Sequence, residues 1–175
     1  MIAHEFVANT LESIDRLQSQ LAVFPFFSDE RPLRGAAGLV DWRLGGALSR
    51  KLMAGYLEGG FGEQGMVASP GKLRVEGILL FGLGPSEVFG EEQATDANVR
   101  IARAICDARA STVALSLPGR SLDLLPALRA MELWLAAEPD LRSVEEVCVL
   151  EAPDQHRALA ALVDGLRRQA ESPLT

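Results

Sequence analysis

Histidine and cysteine are scarce in this chain of 175 residues, which contains two of each. The histidines, His4 and His156, are far apart in the sequence, so the chain offers few ligands for a zinc site. The cysteines, Cys106 and Cys148, fall in segments that we expect to be buried. They serve most simply as small apolar side chains, with one disulfide as the alternative. No Gly-x-Ser-x-Gly nucleophile sequence occurs. We therefore expect no metal, no cofactor and no Cys–His nucleophile.

Long apolar runs and blocks of basic residues are also missing. The apolar run at 21–27 has about seven residues, whereas a membrane span needs about 20. The first residues lack the basic and apolar regions of a secretory signal. The net charge is −7 and the densest basic pair is Arg167–Arg168, so a nucleic-acid backbone would be repelled. We expect a cytoplasmic protein that binds neither nucleic acid nor a membrane.

Apolar and charged residues otherwise make up 48% and 23% of the chain, which is typical of a globular protein. The length suits one domain, and we expect it to span 1–175 with a frayed tail at 171–175. Apolar runs alternate with helical spacing, which predicts an α/β fold with a mainly parallel sheet between helices. The predicted strands are 4–8, 21–27, 65–69, 75–81, 112–117 and 144–150, and the predicted helices include 11–17, 92–109, 124–135 and one begun by Pro153 with Asp154 as its N-cap.

An acid, a tryptophan and two glycines stand together at 41–49, Asp-Trp-Arg-Leu-Gly-Gly-Ala-Leu-Ser. We interpret this segment as the start of an amphipathic helix whose apolar residues recur as far as Tyr56 and which ends at Gly59–Gly60. Gly45 and Gly46 allow two interpretations. They permit close packing of another backbone, or they leave amide groups free to receive a phosphate. Packing is the simpler interpretation.

Ligands of open α/β sheets bind in the loops that follow the strands, and three predicted loops qualify, at 28–32, 82–86 and 118–121. Gly82-Leu83-Gly84 begins like a dinucleotide fingerprint but lacks the third glycine, so a tight exit from a buried strand is favoured. The loop Pro118-Gly119-Arg120-Ser121 leads into a helix. Its amides and guanidinium could hold an anion, and a solvated arginine is the alternative. Trp134, on the next helix, belongs to the core or anchors a partner.

The segment 32–84 resembles the N-terminal domain of the leucyl (cytosol) aminopeptidase family. The resemblance rests on the sequence at 41–49, on Gly62-Glu63-Gln64-Gly65 and on the apolar strand that ends at Gly82-Leu83-Gly84. It implies a macro-domain-like, three-layer α/β/α fold with a mixed, mostly parallel sheet. The metals of that family belong to a separate C-terminal domain, whose Asn-Thr-Asp-Ala-Glu-Gly-Arg-Leu signature is absent here. The resemblance therefore implies a free-standing domain that is not an enzyme.

The resemblance leaves two candidate functions, the first because the metal-binding domain is absent and the second because true macro domains bind ADP-ribose. The first is an assembly, regulatory or protein-interaction module, which acts as a homo-oligomer or with a protein partner, through the helix that carries Trp134. The second is binding of ADP-ribose or another nucleotide diphosphate, with Asp29 on an adenine amine or ribose hydroxyl. The loop 28–31 lacks the Asn pair of macro domains, which makes the second function the alternative. Its candidate ligand-binding residues are Asp29, Gly45, Gly46, Gly82, Gly84, Gly119 and Arg120.

Overall fold

The computed structural model describes residues 2–69 and 71–171, so most of the expected tail at 171–175 lies outside the described residues. Within them a six-stranded sheet has the order β1-β6-β5-β2-β4-β3. Neighbouring strands are parallel except β3 and β4, which are antiparallel. The strands are β1 (Ala3–Ala8), β2 (Gln18–Phe26), β3 (Gln64–Ala68), β4 (Arg74–Gly82), β5 (Thr112–Leu115) and β6 (Glu146–Glu151).

Helices cover both faces of this sheet, because its central strands are apolar on both sides. Along β2 and β4, alternate residues enter two separate cores. Val23 and Leu79 pack with the later helices, and Phe24 and Leu80 pack with the earlier ones. The expected three-layer α/β/α fold is confirmed. The helices are α1 (Leu11–Arg16), α2 (Gly35–Arg43), α3 (Ala47–Met53), α4 (Glu91–Asp107), α5 (Ala127–Ala137) and α6 (His156–Glu171).

The single helix expected from 41 onward is wrong. Asp41 and Trp42 lie at the end of α2, and α3 begins only at Ala47. Gly45 and Gly46 have φ values of 64° and 79°, which a right-handed helix cannot contain. The glycine pair is therefore the turn between two short helices.

Two other helix starts also differ from the prediction. α5 starts at Ala127 after Pro126 rather than at 124. Asp154 lies inside a 3-10 turn, Pro153–Gln155, and is not an N-cap. Pro126 is the N-cap residue of α5, and Pro153 is the first residue of its turn. At each start, proline sets the local φ and cannot donate the hydrogen bond that would extend the helix backward.

Trp134 belongs to the core, where its side chain is fully buried. The simpler of the two interpretations is confirmed, since Trp134 is part of the core between the sheet and the later helices. An interface on the helix that carries Trp134 stays a prediction. The cysteines are both free, with Cys148 buried and Cys106 half-buried, so the disulfide alternative is wrong. Across the described residues, every helix is too short or too polar to cross a membrane.

Candidate functional site at the carboxyl edge of the sheet

Five strands run in parallel, so the loops that follow them meet at one edge of the sheet, which we call the carboxyl edge. The loop 57–63, which leads into antiparallel β3, lies at the same edge. Five of the predicted site residues are found here, and two are not. Gly45 and Gly46 lie at the opposite edge, because α2 starts at the carboxyl edge and runs back along the sheet. Their neighbour is Lys72, just before β4, with its Nζ 3.9 Å from where a Gly45 Cβ would be. The residues at the carboxyl edge are Asp29, Gly82, Gly84, Gly119 and Arg120.

The glycines at the carboxyl edge are packed against protein. A Cβ on Gly82 would overlap the Gly60 carbonyl oxygen, and one on Gly119 would lie 2.6 Å from the Phe89 ring. Two of the amides are also engaged, since Gly82 N donates to Glu63 O at 2.8 Å and Gly84 N donates to Gly59 O at 2.9 Å. The loop 57–63 therefore lies directly on 82–84.

Arg120 is held within the chain. Its Nε and Nη2 donate to the two carboxylate oxygens of Glu151 at 2.7 and 3.0 Å. Its Nη1 donates to the Leu125 carbonyl at 2.7 Å and to Asp123 at 3.0 Å. The hydrogen bonds with Glu151 are the main cause that raises the pKa of Arg120. The guanidinium thus fastens the loop after β5 to the end of β6.

Asp29 is likewise paired. Its carboxylate accepts hydrogen bonds from the Ser86 amide, at 2.9 Å, and from the Ser86 hydroxyl. These bonds lower the pKa of Asp29. The side chain joins the loop after β2 to the loop after β4.

Glu30, which the sequence did not reveal, is the most buried acid at this edge, with 2% of its surface exposed. Its carboxylate accepts hydrogen bonds from Phe27 N at 3.1 Å, Arg34 N at 2.9 Å and the Ser121 hydroxyl at 3.0 Å. Burial raises the pKa of Glu30 despite these donors. The feature of the sequence that could have indicated this role is the position of Glu30, an acid between a buried strand and the start of a helix.

One cleft at this edge is small. This cleft, between the start of α2 and the ends of β5 and β6, has a volume of about 20 Å³, which is room for roughly one water molecule. Arg34, Ser116 and Ser121 line it. A larger hollow of about 770 Å³ lies near the amino ends of the strands, beside Gln18 and Cys148, and contains none of the predicted site residues. Among residues 2–69 and 71–171, no group of three or more acidic, histidine or cysteine side chains is arranged to hold a metal ion.

Comparison with known proteins fits this structure. The family described as cytosol aminopeptidase family, N-terminal domain, matches residues 22–132. The chain belongs to this family. A probable cytosol aminopeptidase from Alkaliphilus metalliredigens (strain QYMF) is 25% identical over 105 residues, which are 60% of this chain and 21% of that protein. This aminopeptidase N-terminal domain chain thus spans about a fifth of that relative's length.

Solved structures confirm the macro-domain-like fold of this aminopeptidase N-terminal domain. A tomato leucine aminopeptidase mutant superposes with a TM-score of 0.65 at 17% identity, covering 93% of this chain and 35% of that chain. The Trypanosoma brucei macrodomain in complex with ADP superposes with a TM-score of 0.72 at 13% identity, covering 92% of this chain and 69% of that chain. Identities this low show a shared fold and nothing about the ligand.

Proposed function

We propose that this chain is a non-catalytic, cytoplasmic assembly module, which associates with a second copy of itself through the free edge of β3. Two features support a role other than catalysis. The matched residues belong to the N-terminal domain of the family, and the polar side chains at the carboxyl edge bind one another. The observation that carries the proposal is an edge strand, β3, without charged residues or proline.

β3 lies at the end of the sheet and pairs on one side only, with β4. Edge strands are usually guarded by charged residues or proline, which prevent pairing with another chain. β3 reads Gln-Gly-Met-Val-Ala and contains neither. Met66, at its centre, is 51% exposed. The opposite edge strand, β1, carries His4 and Glu5.

Exposed apolar side chains lie in the same stretch of chain. Met53, Tyr56 and Phe61 are 83%, 50% and 37% exposed. The Tyr56 hydroxyl donates to the Met66 carbonyl at 3.2 Å, which places its ring beside the strand. Two copies of an antiparallel strand pair self-complementarily about a two-fold axis. Because β3 has no charged residue, such pairing brings no like charges of the strands together.

Light scattering after size-exclusion chromatography tests the proposal on the whole chain. The wild type should dimerise, and Met66→Lys should weaken the dimer by about tenfold or more, because a lysine at the strand centre must be desolvated. The matched control is Leu166→Lys. Leu166 is also exposed, but it lies on α6, which contacts β1 at the other end of the sheet. A wild type that stays monomeric at about millimolar concentration refutes the proposal.

Binding of a nucleotide diphosphate is the second candidate. One observation favours it beyond the fold shared with the ADP-bound macrodomain. The N-cap residue of α2, Arg34, makes no side-chain capping bond. The first residues of the helix, 35–37, line the small cleft, so the positive end of the helix dipole lies there. Calorimetric titration with ADP-ribose tests this candidate. Heat that disappears in Arg34→Ala supports it, and no heat at about millimolar ligand refutes it.

A further inference from the structure

Three consecutive backbone amides converge on one carboxylate in the loop 57–63. Glu63 accepts hydrogen bonds from Glu58 N at 3.0 Å, Gly59 N at 2.7 Å and Gly60 N at 3.1 Å. Gly59 has a φ of 89°, and this positive value turns adjacent amides toward a common point. Such an arrangement of N–H groups is an anion-binding nest. Its occupant here is a side chain of the same loop.

Two arginines flank this nest. The Arg31 guanidinium lies over the Phe26 ring, 5.5 Å from its centre, and its Nη2 donates to the Glu58 carbonyl at 3.4 Å. The Arg100 guanidinium lies over the Phe61 ring at 5.3 Å. It is shared with Asp96, whose carboxylate is 3.1 Å away. In a chain of net charge −7, two guanidinium groups therefore lie against the loop that carries these amides.

The backbone of the loop is held independently of the Glu63 carboxylate. Gly59 O accepts from Gly84 N at 2.9 Å, and Gly62 N donates to Gly82 O at 2.9 Å. These bonds fasten the loop to the end of β4. We therefore expect removal of the carboxylate to vacate the nest and leave the loop in place.

We propose that the amides of residues 58–60 form an oxyanion site, that the Glu63 carboxylate is its resident ligand, and that an inorganic oxyanion such as phosphate binds the same amides when this carboxylate is removed. In the wild type the Glu63 carboxylate outcompetes a free anion, because a group tethered three to five residues away has a high effective concentration. The chain thus supplies its own anion at the carboxyl edge. This inference does not depend on association through β3.

Thermal unfolding and calorimetry of Glu63→Ala test the proposal, with inorganic phosphate as the probe. The variant should unfold at a lower temperature than the wild type in chloride buffer, and phosphate should restore part of the loss. Its affinity for phosphate should exceed that of the wild type by about tenfold or more, because the nest is vacant. Adding Arg100→Ala should weaken this binding, since a flanking cation is lost.

Glu87→Ala is the matched control, because Glu87 is an exposed acid near the same edge. It removes one negative charge without vacating the nest, and so should gain no phosphate affinity. Equal stabilisation of both variants by phosphate overturns the proposal. If Glu63→Ala does not fold in chloride, refolding in phosphate should recover it, and failure to recover overturns the proposal. A protein that does not dimerise, but whose Glu63→Ala variant gains phosphate affinity, would refute association through β3 and support this site.

Discussion

Replacement of Asp41 by alanine should destabilise the protein strongly, although Asp41 is one polar residue in a short turn. Its carboxylate Oδ1 accepts hydrogen bonds from Leu48 N at 2.8 Å and Ser49 N at 3.0 Å. Its Oδ2 accepts from the Ser49 hydroxyl. Asp41 is 8% exposed and Leu48 is fully buried. The end of α2 thus caps the start of α3 across the Gly45–Gly46 turn.

The expected cost follows from these contacts. Loss of a helix N-cap costs about 0.5–2 kcal/mol, and a buried amide left without an acceptor costs about 1–3 kcal/mol. Leu48 is fully buried and Ser49 is half-buried, so we count the full penalty for the Leu48 amide alone. We expect Asp41→Ala to lower the free energy of unfolding by about 2–4 kcal/mol. For a chain of this size, that lowers Tm by roughly 5–12 °C.

Urea unfolding followed by circular dichroism measures this cost. Asp41→Asn should cost about 1 kcal/mol, because the amide oxygen still accepts from both backbone amides and the new NH2 group can donate to Ser49. Ser49→Ala should also cost about 1 kcal/mol, and its cost should not add to that of Asp41→Ala, since both remove the bond between the Ser49 hydroxyl and Asp41. An Asp41→Ala cost below about 0.5 kcal/mol, with an unchanged m-value, would show that the turn is held by other contacts.

Three further predictions concern packing, thiol chemistry and pH. Gly82→Ala should lower the free energy of unfolding in urea by about 3 kcal/mol or more, because its Cβ would overlap the Gly60 carbonyl. The matched control is Gly165→Ala in α6, whose Cβ would have nothing within 4 Å and which should raise that free energy by up to about 1 kcal/mol. Burial raises the pKa of Cys148 to about 12, so a thiol reagent should label Cys106 first in the folded protein, and equal labelling rates would contradict this. Burial also raises the pKa of Glu30 above its ordinary value of 4.5, so the folded chain binds this proton more tightly than the unfolded chain. The free energy of unfolding should therefore fall as pH rises from about 4.5 through the folded pKa, and Glu30→Gln should remove this slope; parallel pH profiles would refute it.

Strands and long helices could be predicted because their signal is local. The apolar run predicted at 75–81 is β4, Arg74–Gly82, and the helical spacing predicted at 92–109 is α4, Glu91–Asp107. The break between α2 and α3 could not be predicted from spacing alone. Apolar residues continue at helical intervals from Leu44 to Leu52 across the turn, and both helices pack these residues on the same core. The backbone conformation of two glycines decides the break.

The candidate site was harder to predict, because its chemistry depends on contacts between distant residues. The sequence placed Asp29 and Arg120 correctly in loops at strand ends. It could not show that the partner of Asp29 is Ser86, 57 residues away, or that Arg120 is paired with Glu151, 31 residues away. In each case a side chain that could have bound a ligand instead holds two segments of the chain together.

The same contacts weigh on the two proposed functions. Asp29, Glu30, Asp41 and Glu63 each accept hydrogen bonds from backbone amides. A phosphate that entered these positions would have to displace a tethered carboxylate, which competes at high effective concentration. The start of α2 already donates its Arg34 amide to Glu30, and the adjoining cleft holds about 20 Å³. A nucleotide diphosphate therefore requires movement of the carboxyl-edge loops, whereas association through β3 requires only that the Tyr56 hydroxyl leave the Met66 carbonyl. On this ground the assembly role is the stronger of the two.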